Sequence, residues 1–97
     1  MTKKRYLLRT KEAPWKTIDK EEGIVLRLKD GIYYSLNPVA LKIWELSDGT
    51  RGIEDITLEI EREYDVSFKK VTKDVEDFVD ALKREELVLE SPMPFKE

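Results

Sequence analysis

Along this chain the spacing of apolar positions changes once, from a period of two to a period of 3.6, near Asn37. Before the change, Ile24, Leu26 and Leu28 alternate with Val25, Arg27 and Lys29, which places one apolar set on one face of a half-buried strand. Lys29-Asp30-Gly31-Ile32 follows, and its Asp-Gly pair tolerates the positive φ angles of a type I′ turn, so a tight hairpin is expected. The second arm is Ile32-Tyr33-Tyr34-Ser35-Leu36, with Ile32, Tyr34 and Leu36 on one face and Tyr33 and Ser35 on the other. Upstream, Trp15-Lys16-Thr17-Ile18-Asp19 is expected to pair with the Ile24 strand through the Lys20-Glu21-Glu22-Gly23 turn, giving an antiparallel meander. A further extended piece fits before Pro14.

After the change come three helices. Asn37 can cap free backbone N–H groups, and Pro38 at the first helical position sacrifices no hydrogen bond. This helix is expected to reach about Ser47, to bury Ala40, Ile43, Trp44 and Leu46, and to end at Asp48-Gly49, where glycine can take the left-handed cap conformation. A second helix spans about Ile53 to Tyr64, with Ile53, Ile56, Ile60 and Tyr64 at helical spacing and acids on the exposed face. Ser67 caps a third, whose Val71, Val75, Phe78, Val79 and Leu82 form an apolar stripe of about four turns. Leu87-Val88-Leu89 is a short apolar tail, and Ser91-Pro92-Met93-Pro94 reads as an irregular end. The order predicts an α+β fold of the winged helix-turn-helix sort, a three-stranded antiparallel sheet followed by three helices. Residues 1–97 are expected to form one domain with its core between about residues 14 and 90.

Composition narrows the chemistry. Charged and hydrophobic residues each make up 40%, which suits a folded, salt-bridged domain. No apolar run exceeds three residues, so no membrane partner and a cytoplasmic location are expected. The absence of cysteine and histidine removes the thiolate nucleophile, the Cys-based zinc site, and the commonest general base and metal ligand. No glycine-rich phosphate loop, nucleophile motif or metal-ligand spacing is present, so catalysis and a cofactor are not expected. Residues 1–20 carry seven Lys/Arg against two acids, and the remainder eleven against nineteen. A short basic start is ordinarily a solvated tail.

The string from Gly31 to Gly49 has a Tyr-x-Leu-Asn strand end (Tyr34-Ser35-Leu36-Asn37), a helix ending in Trp44-Glu45-Leu46, and Asp48-Gly49 after it. With Ile53-Glu54-Asp55-Ile56, the Tyr64 region and Asp74-Val75-Glu76-Asp77-Phe78, it resembles the PqqD family over roughly three quarters of the chain. One departure is Glu85-Glu86-Leu87, where that family often has a glycine before the closing apolar residues. The resemblance implies a noncatalytic recognition element for the leader of a ribosomally made precursor peptide, presenting the precursor to a leader peptidase, a cyclase or a radical-SAM enzyme. Such elements serve pyrroloquinoline quinone and lasso-peptide biosynthesis, and this chain looks like the separate rather than the fused kind. It further implies that the leader adds as a strand beside Ile32, Tyr33, Tyr34, Ser35 and Leu36 and packs against Asp74, Val75, Phe78, Val79 and Leu82 of the third helix.

A core role competes with the groove role for several of these residues. A three-stranded sheet must bury one face, which favours core for Tyr34, Leu36, Val75 and Val79 and leaves Tyr33 and Phe78 balanced. Trp15 and Trp44 read as core anchors. Asp74 and Asp77 fit a solvated helix face, with Asp74 the better candidate to meet a basic leader residue. The rival is a winged-helix DNA-binding regulator. Its recognition helix would carry Asp74, Glu76, Asp77, Asp80, Glu85 and Glu86 against Lys73, Lys83 and Arg84, a balance that opposes phosphate binding, so no nucleic-acid partner is expected.

Overall fold

The computed structural model describes residues 4–19, 21–64 and 67–95. In chain order the elements are β1 (Tyr6–Arg9), β2 (Trp15–Thr17), β3 (Gly23–Arg27), β4 (Ile32–Leu36), α1 (Pro38–Leu46), β5 (Asp48–Gly52), α2 (Ile53–Tyr64), α3 (Phe68–Arg84) and β6 (Val88–Ser91). The α+β class and the three helices agree with expectation, but the strands form two three-stranded antiparallel sheets, ordered β2-β3-β4 and β5-β1-β6. Because β5 lies between α1 and α2 and β6 follows α3, the expected single sheet leading three helices is not the arrangement found.

The meander β2-β3-β4 forms as anticipated, with one change at its turn. Gly31 has φ +73° whereas Asp30 is not among the residues with positive φ, so the connection is not a two-residue type I′ turn. Leu28 to Gly31 instead form a four-residue link closed by Gly31 N–H donating to the Arg27 carbonyl at 2.8 Å. The buried face of β3 also differs from the alternation argument: Val25 is fully buried, Ile24 and Leu26 are half-covered, and Leu28 is 58% exposed. Gly23 explains the choice. A Cβ there would lie 2.6 Å from Leu41 Cδ1, so α1 approaches the sheet on the side shared by Gly23 and Val25.

Helix α1 begins as Asn37-Pro38 requires, the Asn37 carboxamide oxygen accepting from Ala40 N–H at 2.8 Å. At its other end Arg9 donates to the carbonyls of Trp44 (2.8 Å) and Glu45 (2.7 Å), so a cation from β1 meets the negative end of the helix dipole. The same guanidinium lies 5.4 Å from the ring of Trp15, which packs edge-on against buried Trp44 with 6.4 Å between centroids. Ser47, rather than Gly49, is the C-cap. Gly49 takes φ +89° within β5, where Phe95 Cβ lies 2.9 Å from the position of its absent side chain.

Helix α3 packs mainly on α2 and β6. Val71, Val75, Val79 and Leu82 of its apolar stripe join Leu7, Val25, Leu36, Trp44, Ile56 and Ile60 in one core. The helix ends in a Schellman cap, with Leu87 N–H donating to Leu82 O (2.9 Å) and Glu86 N–H to Lys83 O (3.0 Å). The left-handed position is filled by Glu86, φ 59°, the one described non-glycine residue with positive φ.

Candidate functional site

Among the described residues strand β4 is an edge, bonded to β3 on one side and to no strand on the other. The direction of its backbone groups follows from β3. Leu26 N–H donates to Pro14 O (2.9 Å) and Leu28 N–H to Glu12 O (3.1 Å), so the even residues of β3 bond away from β4 and Gly23, Val25 and Arg27 bond towards it. Their partners are Leu36, Tyr34 and Ile32. The peptide groups of Tyr33 and Ser35 therefore point to the open side, where two residues of an extended chain could satisfy both donors and both acceptors.

Helix α3 reaches the β4 region at two points. Near its C-terminus, Glu85 accepts a hydrogen bond from Tyr34 Oη at 3.0 Å. Towards its N-terminus, Val71, Asp74 and Val75 line a cavity of about 220 Å³ together with Val39, Ile60, Tyr64 and Lys70. Val39 lies just past the end of β4, so Tyr34 to Val39 and Glu85 back to Val75 mark the two sides of a candidate groove. The ten residues of helix between those points span about 15 Å at ~1.5 Å each. A strand of that length holds roughly five residues at ~3.3 Å each. Half-buried Phe78 lies along the helix between the two ends.

A polar cluster closes the Glu85 end. Arg27 holds Asp30 through Nε (3.0 Å) and Nη2 (2.6 Å), while its Nη1 donates to the Glu85 carboxylate (2.8 Å) and carbonyl (2.9 Å). The Arg27 bonds, and for Glu85 the Tyr34 phenol, hold both carboxyls below the usual carboxylate range. Loss of solvent and the neighbouring Glu85 carboxylate push the Tyr34 phenol up. At the other end, the Tyr64 phenol is also raised, by loss of solvent and then by Glu63, and it donates to Pro38 O at 3.5 Å.

The residues named from sequence divide into two layers. Tyr33 (64% exposed), Ile32 (45%), Ser35 and Asp74 are accessible, and Tyr34 and Phe78 are half-buried beside them. Leu36, Val79 and Leu82 are core side chains that support the groove from behind and do not line it, because the inner face of β4 and the inner stripe of α3 meet the other helices. Val75 is equally buried but reaches the cavity wall. Asp77 is held by Lys73 at 3.1 Å on the solvated face. Sequence reasoning missed Val39, Tyr64, Lys70 and Val71 as cavity residues. Val39 was within reach, since a helix that starts directly after an edge strand sets its first turn at the end of that edge.

Among the described residues no group of three or more His, Cys, Asp or Glu could hold a metal ion, and no helix is long and apolar enough to cross a membrane. A family model described as "Coenzyme PQQ synthesis protein D (PqqD)" matches residues 22–88, more than half of the chain. No curated protein matches. Among solved structures, TbiB1 in complex with the TbiA(β) leader peptide is 34% identical with a TM-score of 0.74, over 84% of this chain and 93% of that one. A lasso peptide synthetase B1 complexed with its leader peptide is 24% identical, TM-score 0.70, over 86% and 96% respectively, a likeness of fold.

Proposed function

Since the chain belongs to the PqqD family, we propose that it binds the leader segment of a ribosomally synthesised precursor peptide, without catalysis, and presents the precursor to a modifying enzyme. The observation that supports this reading is the open β4 edge, whose Tyr34 is bonded to Glu85 at the end of α3, in a chain 34% identical to TbiB1, which was solved with a leader peptide. The leader adds as a strand along Ile32 to Leu36, its backbone meeting the peptide groups of Tyr33 and Ser35. Main-chain bonds supply affinity that is indifferent to sequence. Selectivity then falls to side chains that enter the groove beside Tyr34 and Phe78 or the cavity near Asp74, where a basic leader residue would meet a carboxylate. The chain acts as one recognition domain whose core extends beyond residues 14–90 to include Leu7 of β1, and the enzyme that follows is a leader peptidase, a cyclase or a radical-SAM protein.

The test is a titration of fluorescein-labelled leader peptides, made from short precursor genes beside this one, followed by anisotropy. Saturable binding below about ten micromolar that an unlabelled leader competes away is expected. Failure of every such leader to bind, or tight salt-sensitive binding to duplex DNA instead, overturns the proposal.

A further inference from the structure

The cluster around Arg27 has no role in strand addition itself, for its polar groups are already engaged. Four hydrogen bonds from one guanidinium join the hairpin turn, through Asp30, to the C-terminus of α3, through the Glu85 carboxylate and carbonyl. The Tyr34 ring lies under the guanidinium at 5.4 Å, and its hydroxyl shares the Glu85 oxygen that Arg27 holds. Only 15% of the Arg27 side chain is exposed.

Three features make this cluster more than a surface ion pair. It lies at one end of the groove, where β4 itself is bonded to the C-terminal end of α3 through the Tyr34 side chain. Helix α3 otherwise packs mainly on α2 and β6, elements outside the β2-β3-β4 sheet, so the gap between the helix and the edge has few other restraints at this end. A planar fork with acceptors on two sides also fixes direction as well as distance, which a lysine ammonium on a flexible stem does not.

We propose that Arg27 is a positioning residue: with Glu85 and Asp30 it sets the separation of the β4 edge from α3, and so the fit of an added leader strand, without touching the leader. This rests on the leader-binding reading above. An edge held at the wrong distance still offers its N–H and C=O groups, but the side chains of an added strand no longer meet the helix wall.

The experiment measures leader affinity by anisotropy and thermal midpoint by circular dichroism for wild type, Arg27→Ala, Arg27→Lys and the control Ile56→Val, a substitution in the core on α2. Both Arg27 variants are expected to remain folded at the assay temperature, and affinity to fall by about tenfold or more, as for a site whose supporting contacts are loosened. Ile56→Val is expected to lower the midpoint and leave affinity unchanged. Wild-type affinity in folded Arg27→Ala or Arg27→Lys overturns the proposal, as does an equal loss in Ile56→Val, which would make affinity a mere reporter of stability. Should Arg27→Ala unfold, Glu85→Gln, which keeps the backbone carbonyl bonded to Arg27, takes its place under the same criterion. If wild type binds no leader, the functional reading fails and this one falls with it, whereas leader binding by wild type with no loss in the folded Arg27 variants overturns this one alone.

Discussion

Replacing Glu86 with glycine should stabilise the domain. Glu86 occupies the left-handed position of the cap that ends α3, with φ 59°. An L residue with a Cβ pays about 1 kcal/mol there that glycine does not. The two cap hydrogen bonds, Leu87 N–H to Leu82 O and Glu86 N–H to Lys83 O, use backbone atoms and survive the change. The substitution does remove the 3.4 Å contact between Lys29 and Glu86, but those side chains are 62% and 71% exposed, and such pairs contribute a few tenths of a kcal/mol. The net gain is about 0.5–1 kcal/mol, which for a domain of this size raises the midpoint by roughly 2–8 °C. Thermal and urea unfolding of wild type, Glu86→Gly and Glu86→Ala separate the contributions, because alanine loses the ion pair and keeps the Cβ. The reasoning is refuted if glycine is no more stable than alanine, since the backbone conformation would then carry no cost.

Other expectations concern the groove. Ser35→Pro deletes an outward N–H that no strand uses, and an edge tolerates proline at such a position, so the fold should persist while leader affinity drops at least about tenfold; unchanged affinity by anisotropy would place the leader elsewhere. Phe78→Ala and Asp74→Lys should each weaken binding in a protein that circular dichroism shows folded, the latter with a changed salt dependence, and normal affinity in both would move the site off α3. Acidification should destabilise the Arg27 cluster. Glu85 and Asp30 are held below their ordinary values of 4.5 and 3.8, so their contribution is complete above those values and is lost as pH falls through the lower folded ones. Urea midpoints between pH 7 and pH 3 should therefore fall more steeply for wild type than for Arg27→Ala; parallel profiles would deny the cluster any such linkage.

Local signals carried the helices. The Asn37-Pro38 start and the Ser67 cap each act within one turn, the stripe from Val71 to Leu82 lies within a single helix, and each is present where the sequence placed it. Strands β5 and β6 escaped for a different reason, and β1 was foreseen only as an extended piece before Pro14. Asp48-Gly-Thr-Arg-Gly52 has no apolar alternation and is a strand only because β1 pairs with it, and β6 pairs with the same strand from the far end of the chain. The face of β3 was misjudged because the richer apolar set, Ile24, Leu26 and Leu28, seemed the natural core. Gly23 held the better signal, since a strand start without a side chain marks where α1 comes close. At the site, the strand Ile32 to Leu36 was legible from the hairpin, while its part as the edge that takes a leader came from the family resemblance. The bond from Arg27 to Glu85 was not, for it joins residues 58 positions apart that no local pattern relates.

The unpaired β4 edge has a colloidal consequence. Backbone groups that accept one extended chain do not ask whose chain it is, and the strand beside them exposes Ile32 and Tyr33 while Leu28 lies bare at the turn. Two copies meeting edge to edge would satisfy the same donors and acceptors as the proposed leader strand. Protein stored concentrated and without peptide would then be its own competitor, and precursor in excess would act as a solubiliser as much as a cargo.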